Sequence, residues 1–194
     1  MQWTLPGTQL QICREDTGDI QRVLSSLFLA GGITLSQLCA ITGVEAYTVQ
    51  NWVKRGFLPP PKQKHYDIDQ LCRVIHIQIL KSVMPMEQVT ALLGYVNGRL
   101  DDRSDDLIPD SRLYAMFVRL MASPGQLFSP QEQEIALSAV ICSDTTLCPG
   151  AAERVEKALR ILLAAWLSLR MRQEAETIVQ QIKQEGVQDY GSKI

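Results

Sequence analysis

Histidine is scarce in this sequence, with only two in 194 residues, and no glycine-rich phosphate-binding loop is present. His65 lies in a proline-rich loop and His76 on an apolar helix, so the pattern suggests no Ser/His/Asp or Cys/His arrangement. The aspartates of residues 100–110 lack the regular spacing of a calcium-binding loop. These absences argue against an enzyme, and we expect no cofactor.

Long apolar runs are also absent. The longest is ILLAAWL, residues 161–167, which is far too short to span a bilayer. The amino terminus has no basic region followed by an apolar run, so no signal peptide is expected. The five cysteines are odd in number, and Cys39 and Cys72 fall on helical positions that we expect to be buried, which argues against a disulfide framework. We therefore expect a soluble cytoplasmic protein with no membrane partner.

The net charge is small, −2, which argues against a protein that coats nucleic acid by bulk charge. The charge is unevenly distributed: −1 for residues 1–33, +3 for 34–99, −5 for 100–150 and +1 for 151–194. The basic block centres on residues 46–66, which contain four Lys or Arg and no Asp or Glu. Any nucleic-acid role must therefore rest on this local patch.

Apolar periodicity predicts a mainly α-helical protein with few strand signals. The predicted helices are residues 19–30, 34–41, 45–55, 68–83, 86–96, 111–122, 130–142 and 151–184. An aspartate-rich loop at residues 100–110 is the expected boundary between functional units. We divide the chain into an N-terminal packing helix (1–32), a basic middle domain (33–99) and a helical dimerisation or effector region (100–194).

Two of these helices, residues 34–41 and 45–55, are joined at Gly43 and have the apolar spacing of a helix-turn-helix. The second helix of that motif, the recognition helix, must pack on the first while its outer face stays free for base edges. This packing requires buried residues at fixed offsets around the turn. Suitable residues fill these offsets: Leu38, Cys39, Val44, Val49 and Trp52.

The outer face of the predicted recognition helix is polar. Its outward positions are Ala46, Tyr47, Gln50, Asn51 and Lys54. Gln and Asn bond adenine bidentately, and Lys bonds a guanine edge or a phosphate. Asn51 has an alternative role, a hydrogen bond to its own backbone. Its position beside Gln50 and Lys54 favours contact with DNA.

The segment that follows, residues 57–66, is called the basic loop below. Its three prolines, residues 59–61, remove backbone donors and fix an extended conformation. Its Lys62, Lys64 and His65 then form a short basic wing beside the recognition helix. A carboxylate in this wing would face the phosphates of bound DNA, where repulsion between like charges weakens binding. The alternative is a solvated loop whose lysines serve solubility.

Residues 33–96 resemble the DNA-binding domain of the MerR transcription regulators. The resemblance rests on the runs ITLSQLCAITGV, TVQNWVKRGFLPPP, HYDIDQLCRVIHIQILKSV and MEQVTALL. It is closer to a group of uncharacterised bacterial proteins related to MerR, whose recognition helix has the pattern apolar-Asn-Asn-aromatic-Val-Lys. VQNWVK at residues 49–54 matches that pattern except for Gln50 in place of the first Asn.

The resemblance implies a MerR-like winged helix-turn-helix domain followed by an all-helical C-terminal region. It implies a homodimer that binds double-stranded promoter DNA and regulates transcription, with base contacts from the recognition helix and backbone contacts from the wing. The candidate DNA-binding residues are Tyr47, Gln50, Asn51, Lys54, Arg55, Lys62, Lys64, His65 and Tyr66. The wing is shorter than is usual in MerR proteins, and the sequence does not identify an effector.

Two other classes of function stay open at this point. One is a sensor of a soft metal or small molecule in the C-terminal half, where Cys142 and Cys148 lie in a loop between helices. No third cysteine or histidine lies nearby, so a pair of ordinary thiols is the default interpretation. The other is a protein-interaction adaptor that keeps the fold but no longer binds DNA.

The last predicted helix, residues 151–184, is expected to dimerise the protein. Its middle is apolar on nearly every side and must be covered all round. The apolar positions are Val155, Leu159, Ile161, Leu162, Leu163, Trp166, Leu167 and Leu169. We expect the two preceding helices to leave one stripe for a partner subunit, and the alternative is that they cover it fully and give a monomer.

Overall fold

The computed structural model describes residues 2–100, 106–122, 129–144, 147 and 149–191, without the side chains of residues 16, 149 and 185–191. The described chain is mainly helical, as the sequence predicts. Its helices are α1 (Ile20–Ser26), α2 (Leu35–Thr42), α3 (Ala46–Lys54), α4 (Ile68–Lys81), α5 (Met86–Asn97), α6 (Asp110–Ala122), α7 (Pro130–Cys142) and α8 (Pro149–Gly191). No described helix is both long and apolar enough to cross a membrane.

A small antiparallel sheet precedes the helices and does not follow from the sequence pattern. Strand β1 (Gln2–Thr4) pairs with β2 (Gln11–Cys13), with Trp3 opposite Ile12. A 3₁₀ segment, Arg14–Asp19, then leads into α1. Three-residue strands are too short to show a clear alternation of apolar and polar residues, so periodicity does not predict them.

Local caps explain why α2, α4 and α7 begin where they do. Thr34, Asp67 and Ser129 each accept a hydrogen bond from the third residue of the following helix, whose side chain bonds back to the cap. Pro130 supplies the first residue of α7 and loses no helical hydrogen bond there. These capping boxes satisfy amides that would otherwise lack partners.

Helix α4 lies at the centre of the hydrophobic core. Ten of its fourteen residues are buried, and it packs against α5, α6 and α8. The core is one continuous cluster that extends from Leu5 to Ala165. The core therefore continues across residue 99, the predicted boundary between the second and third units. The aspartates of residues 101–105, in the loop predicted at this boundary, lie outside the described residues.

A buried polar cluster joins α4 to α6. Arg73 is 1% exposed, and its Nε donates to Asp110 Oδ2 at 2.8 Å while its Nη1 donates to the carbonyl of Leu100 at 2.6 Å. His76 Nδ1 lies 3.3 Å from the other Asp110 oxygen. Burial, followed by the charge of Asp110, raises the pKa of the neighbouring Cys72 thiol well above its usual value. The cluster fixes the position of α4, and with it the segment before α4, relative to the C-terminal helices.

Candidate nucleic-acid interface

The turn between α2 and α3 is fixed by one glycine and one threonine. Gly43 adopts a left-handed conformation, with φ of 73°, at the end of α2. The Thr42 hydroxyl donates to the carbonyl of Leu38 at 2.9 Å and accepts from the amide of Val44 at 3.2 Å. The chain thus reverses within three residues and brings α3 against α2.

The apolar residues predicted to pack around this turn are buried or half-buried. Leu38, Val44, Val49 and Trp52 are buried, and Cys39 is half-buried. Burial, with the charge of Glu45 second, raises the pKa of the Cys39 thiol. Helix α3 therefore uses one face for packing and has the opposite face free.

The free face of α3 bears the side chains predicted to contact bases. Tyr47 is 73% exposed, and Gln50, Asn51 and Lys54 are also exposed. Within the described chain, none of these four side chains makes an internal hydrogen bond or ion pair. The alternative role for Asn51, a bond to its own backbone, is therefore not observed. Arg55, one residue later, lies over the Phe57 ring at 4.9 Å.

The tip of the basic loop is a tight turn with unfavourable backbone angles. Lys62 and His65 exchange backbone hydrogen bonds of 3.0 and 2.8 Å. Gln63 and Lys64 between them have φ of 49° and 66°, a pair of conformations that Asn and Gly adopt at less cost. The His65 Nδ1 donates to the carbonyl of Gln63 at 2.9 Å. Lys62, Lys64 and His65 are all exposed at this tip.

The base of the loop pairs with the start of α2. Ile33 and Tyr66 exchange backbone hydrogen bonds of 2.9 and 2.8 Å. A side chain at Gly32, where φ is 122°, would meet the Cβ of His65 at 2.9 Å, so the chain passes close to the loop there. These contacts hold the loop beside α3.

The prediction that Tyr66 contacts DNA is wrong. Its side chain is only 3% exposed and belongs to the hydrophobic core, because its backbone pairs with Ile33 and turns the ring inwards. Burial, with Cys39 second, raises the pKa of its hydroxyl. We remove Tyr66 from the candidate DNA-binding residues and keep the other eight.

The structure describes only one of the two candidate metal ligands. Cys142 is exposed at the end of α7, and Cys148 lies outside the described residues. Among the residues that the structure describes, no three His, Cys, Asp or Glu side chains are close enough to hold a metal ion. The four described cysteines, which include Cys13, Cys39 and Cys72, are all free thiols.

A second surface feature lies far from α3 in the sequence. A groove of about 1130 Å³ separates β1 from the second half of α8. Its apolar lining is formed by Trp3, Leu5, Met121, Trp166, Leu167, Met171 and Ile178. This half of α8 exposes four large apolar side chains, Met171, Ile178, Val179 and Ile182, so it is unpartnered within the described chain.

The candidate interface lies in a part of the chain that matches a known protein family. Residues 35–117 match the family described as "Domain of unknown function (DUF1836)". This span starts at the first residue of α2 and ends within α6, so it contains α3, the basic loop and the Arg73–Asp110 pair. It also crosses residue 99.

One curated relative is the "Uncharacterized protein YkrK" of Bacillus subtilis (strain 168), which is 27% identical over 117 residues. The match covers 58% of this chain and 50% of the relative, so the chain spans about half the length of YkrK. No solved structure matches the chain at a significant level.

Proposed function

We propose that the protein is a sequence-specific, DNA-binding transcription regulator with a MerR-like winged helix-turn-helix. In this proposal α2 and α3 form the helix-turn-helix, α3 enters the major groove, and the basic loop is the wing. The observation that carries the proposal is the free face of α3, where Gln50, Asn51 and Lys54 are exposed and have no internal partner within the described chain. Donors and acceptors arranged in this way are suited to base edges.

Charge and backbone strain support the same function. Between residues 20 and 66 the only carboxylate side chain is Glu45, although the chain as a whole is acidic. A surface of this kind admits a phosphate backbone without like-charge repulsion. The unfavourable angles at Gln63 and Lys64 cost free energy, and such strain is common where a side chain has a functional role.

The proposed regulator acts as a homodimer, because one short recognition helix contacts few base pairs and two related helices read two half-sites about one DNA turn apart. Helix α8 is the proposed dimerisation element. The middle of α8 is better covered than the sequence pattern predicts, since Leu159, Leu162 and Leu163 are buried within the subunit. Apart from Ile161, which is 37% exposed, the uncovered large apolar side chains of α8 among the described residues lie further along, from Met171 to Ile182.

We expect Gln50→Ala and Asn51→Ala each to reduce discrimination between specific and random DNA by about 1–3 kcal/mol, because each removes a bidentate base contact. Affinity would be measured by fluorescence anisotropy on a duplex selected from a randomised library and on a scrambled duplex. Gln88→Ala, an exposed substitution on α5, is the control and should change neither affinity. Equal weakening on both duplexes would show that Gln50 and Asn51 do not read bases.

The basic loop is tested through the salt dependence of binding. Lys62→Ala and Lys64→Ala should weaken specific and random DNA alike and reduce the slope of log K against log salt by about one unit for each phosphate that is no longer neutralised. Lys157→Ala, which removes an exposed lysine of α8, provides a charge-matched control. An unchanged slope in both loop variants would remove the loop from the interface, and weak, salt-insensitive binding by the unmodified protein would favour the adaptor.

A further inference from the structure

The basic loop has almost no backbone hydrogen bonds of its own before its tip. Residues 59–61 are prolines without N–H groups, and residues 58–61 make no backbone–backbone hydrogen bond within the described chain. Extended chain without such bonds moves easily unless other groups hold it. Leu58 is buried in the core and Tyr66 pairs with Ile33, but the proline segment between them needs a further element to fix its position and that of the lysines at the tip.

That element is the side chain of Gln70, in the first turn of α4. Its Nε2 donates to the carbonyls of Pro59 and Pro60, at 2.8 and 3.1 Å. Its Oε1 accepts from the amide of Asp67 at 2.9 Å, and its own amide donates to Asp67 Oδ1 at 3.0 Å. One side chain thus bonds both ends of the segment 59–67. It is only 3% exposed, so water does not compete strongly for these bonds.

Only a carboxamide of this length serves both ends. Ionised glutamate has the acceptor for Asp67 but no hydrogen to donate to the proline carbonyls, and lysine or arginine has donors but no acceptor. Asparagine is one methylene shorter and does not reach both ends. The identity of residue 70 is therefore tied to the geometry of the loop, and helix propensity alone does not explain it.

We propose that Gln70 is a positioning residue that clamps the basic loop so that Lys62 and Lys64 meet the DNA backbone. This inference rests on the proposed function, since it names the group that orients one part of the same interface. Gln70 itself does not touch DNA. Its effect on binding passes entirely through the two lysines.

The clamp is tested first without DNA, by Gln70→Met, which preserves side-chain length and removes all three side-chain hydrogen bonds. Hydrogen exchange of the Lys62 and His65 amides should become at least about tenfold faster, because the loop then opens more often. Leu137→Ala, a buried substitution in α7, is the control, because it lowers the stability of another part of the fold. The exchange of the Lys62 and His65 amides should not become faster there relative to amides that exchange by global unfolding. Unchanged exchange in Gln70→Met would overturn the clamp.

A double-mutant cycle then tests the link to DNA. In the native background Gln70→Met should reduce the salt slope of DNA binding by about one to two units, as removal of the two lysines does. In a Lys62→Ala, Lys64→Ala background the same change should alter DNA affinity less than about twofold, because nothing remains to be positioned. Additive effects in both backgrounds would show that Gln70 acts by general destabilisation, and would overturn the proposal.

The experiments test the clamp and the DNA-binding function separately. If the unmodified protein does not bind DNA, the proposed function fails together with the DNA part of this inference, whereas the exchange result decides the clamp alone. If Gln70→Met does not fold, Gln70→Glu replaces it, since its ionised carboxylate keeps the acceptor for the Asp67 amide and has neither donor. The glutamate variant should show the same faster exchange at Lys62 and His65, and slow exchange there would count against the clamp.

Discussion

Replacing Asp110 by alanine should lower the free energy of unfolding by about 3–5 kcal/mol, because it removes the carboxylate bonded to the buried Arg73 and leaves that charge with the more distant carboxylate of Asp106, at 3.8 Å. Arg73 and Asp110 are each 1% exposed, and they are joined by a bond of 2.8 Å. The same variant removes the carboxylate that lies 3.3 Å from His76. Urea unfolding followed by circular dichroism measures the change, and a decrease below about 1 kcal/mol would contradict the expectation.

Two further variants identify the cause. The double variant Arg73→Met with Asp110→Leu should recover most of the stability, because an apolar pair of similar volume does not require the desolvation of two charges. Glu153→Ala removes the acid of an exposed pair with Lys157 and should have a much smaller effect. If the double variant is as unstable as Asp110→Ala, the polar neighbours that lose a partner, Asp106, His76 and the carbonyl of Leu100, explain the destabilisation rather than the charge of Arg73.

The Arg73–Asp110 ion pair also helps to fix the position of the proposed DNA interface. Helix α4 carries Gln70, which holds the basic loop, and one turn later Arg73, which bonds α6. Asp69, which directly precedes Gln70, accepts a 2.9 Å hydrogen bond from the amide of Ser111 at the start of α6. The loop and the C-terminal helices are therefore fixed by the same two turns of α4. The span shared with the DUF1836 family, residues 35–117, includes both sets of contacts.

Short-range chemistry explains why the helices could be predicted. Asp67 begins α4 because its carboxylate caps an amide three residues later, and Pro130 begins α7 because its fixed φ suits a first turn. Gly43 ends α2 because it adopts positive φ at little cost. Each signal lies within a few residues of the feature that it fixes. The exposed face of α3 was predictable for the same reason, since it follows from the helical period of Val49 and Trp52.

Long-range pairing explains what the sequence did not predict. Tyr66 is buried because it pairs with Ile33, which is distant in sequence and belongs to no regular strand. Arg73 and Asp110 are 37 residues apart, so no local pattern connects them. Helix α1 ends at Ser26, earlier than predicted, and α8 continues to Gly191, later than predicted. Gly43 marks the end of α2, whereas α1 is followed by Leu27, which is no such signal.

The second half of α8 leads to the other large expected effect. Met171, Ala175, Ile178 and Ile182 follow one another at spacings of four, three and four residues, which is the spacing of the core positions of a coiled coil. All four are exposed, Ile178 at 49% and Ile182 at 60%. In an antiparallel pair of identical helices Met171 would lie opposite Ile182, and Ala175 opposite Ile178. The stripe is thus self-complementary, and a second copy of the chain is the proposed occupant.

We expect Ile178→Glu and Ile182→Glu to convert a dimer into a monomer, because each places a charge in an apolar layer of the proposed pair. Both side chains are exposed in the single subunit, so the stability of that subunit should change by less than about 0.5 kcal/mol. Sedimentation velocity at micromolar concentration should show half the mass of the unmodified protein. DNA affinity for a two-half-site duplex should fall by about 100-fold or more, since the two recognition helices no longer bind as one unit.

Gln180→Glu is the matched control, because it adds the same charge to the same helix at an exposed position outside the stripe. It should leave both the mass and the DNA affinity unchanged. Dissociation of the dimer in all three variants would point to charge repulsion along α8 rather than to the apolar stripe. An unmodified protein that sediments as a monomer, with and without DNA, would contradict the homodimer. The groove beside β1 and the exposed half of α8 would then require another occupant.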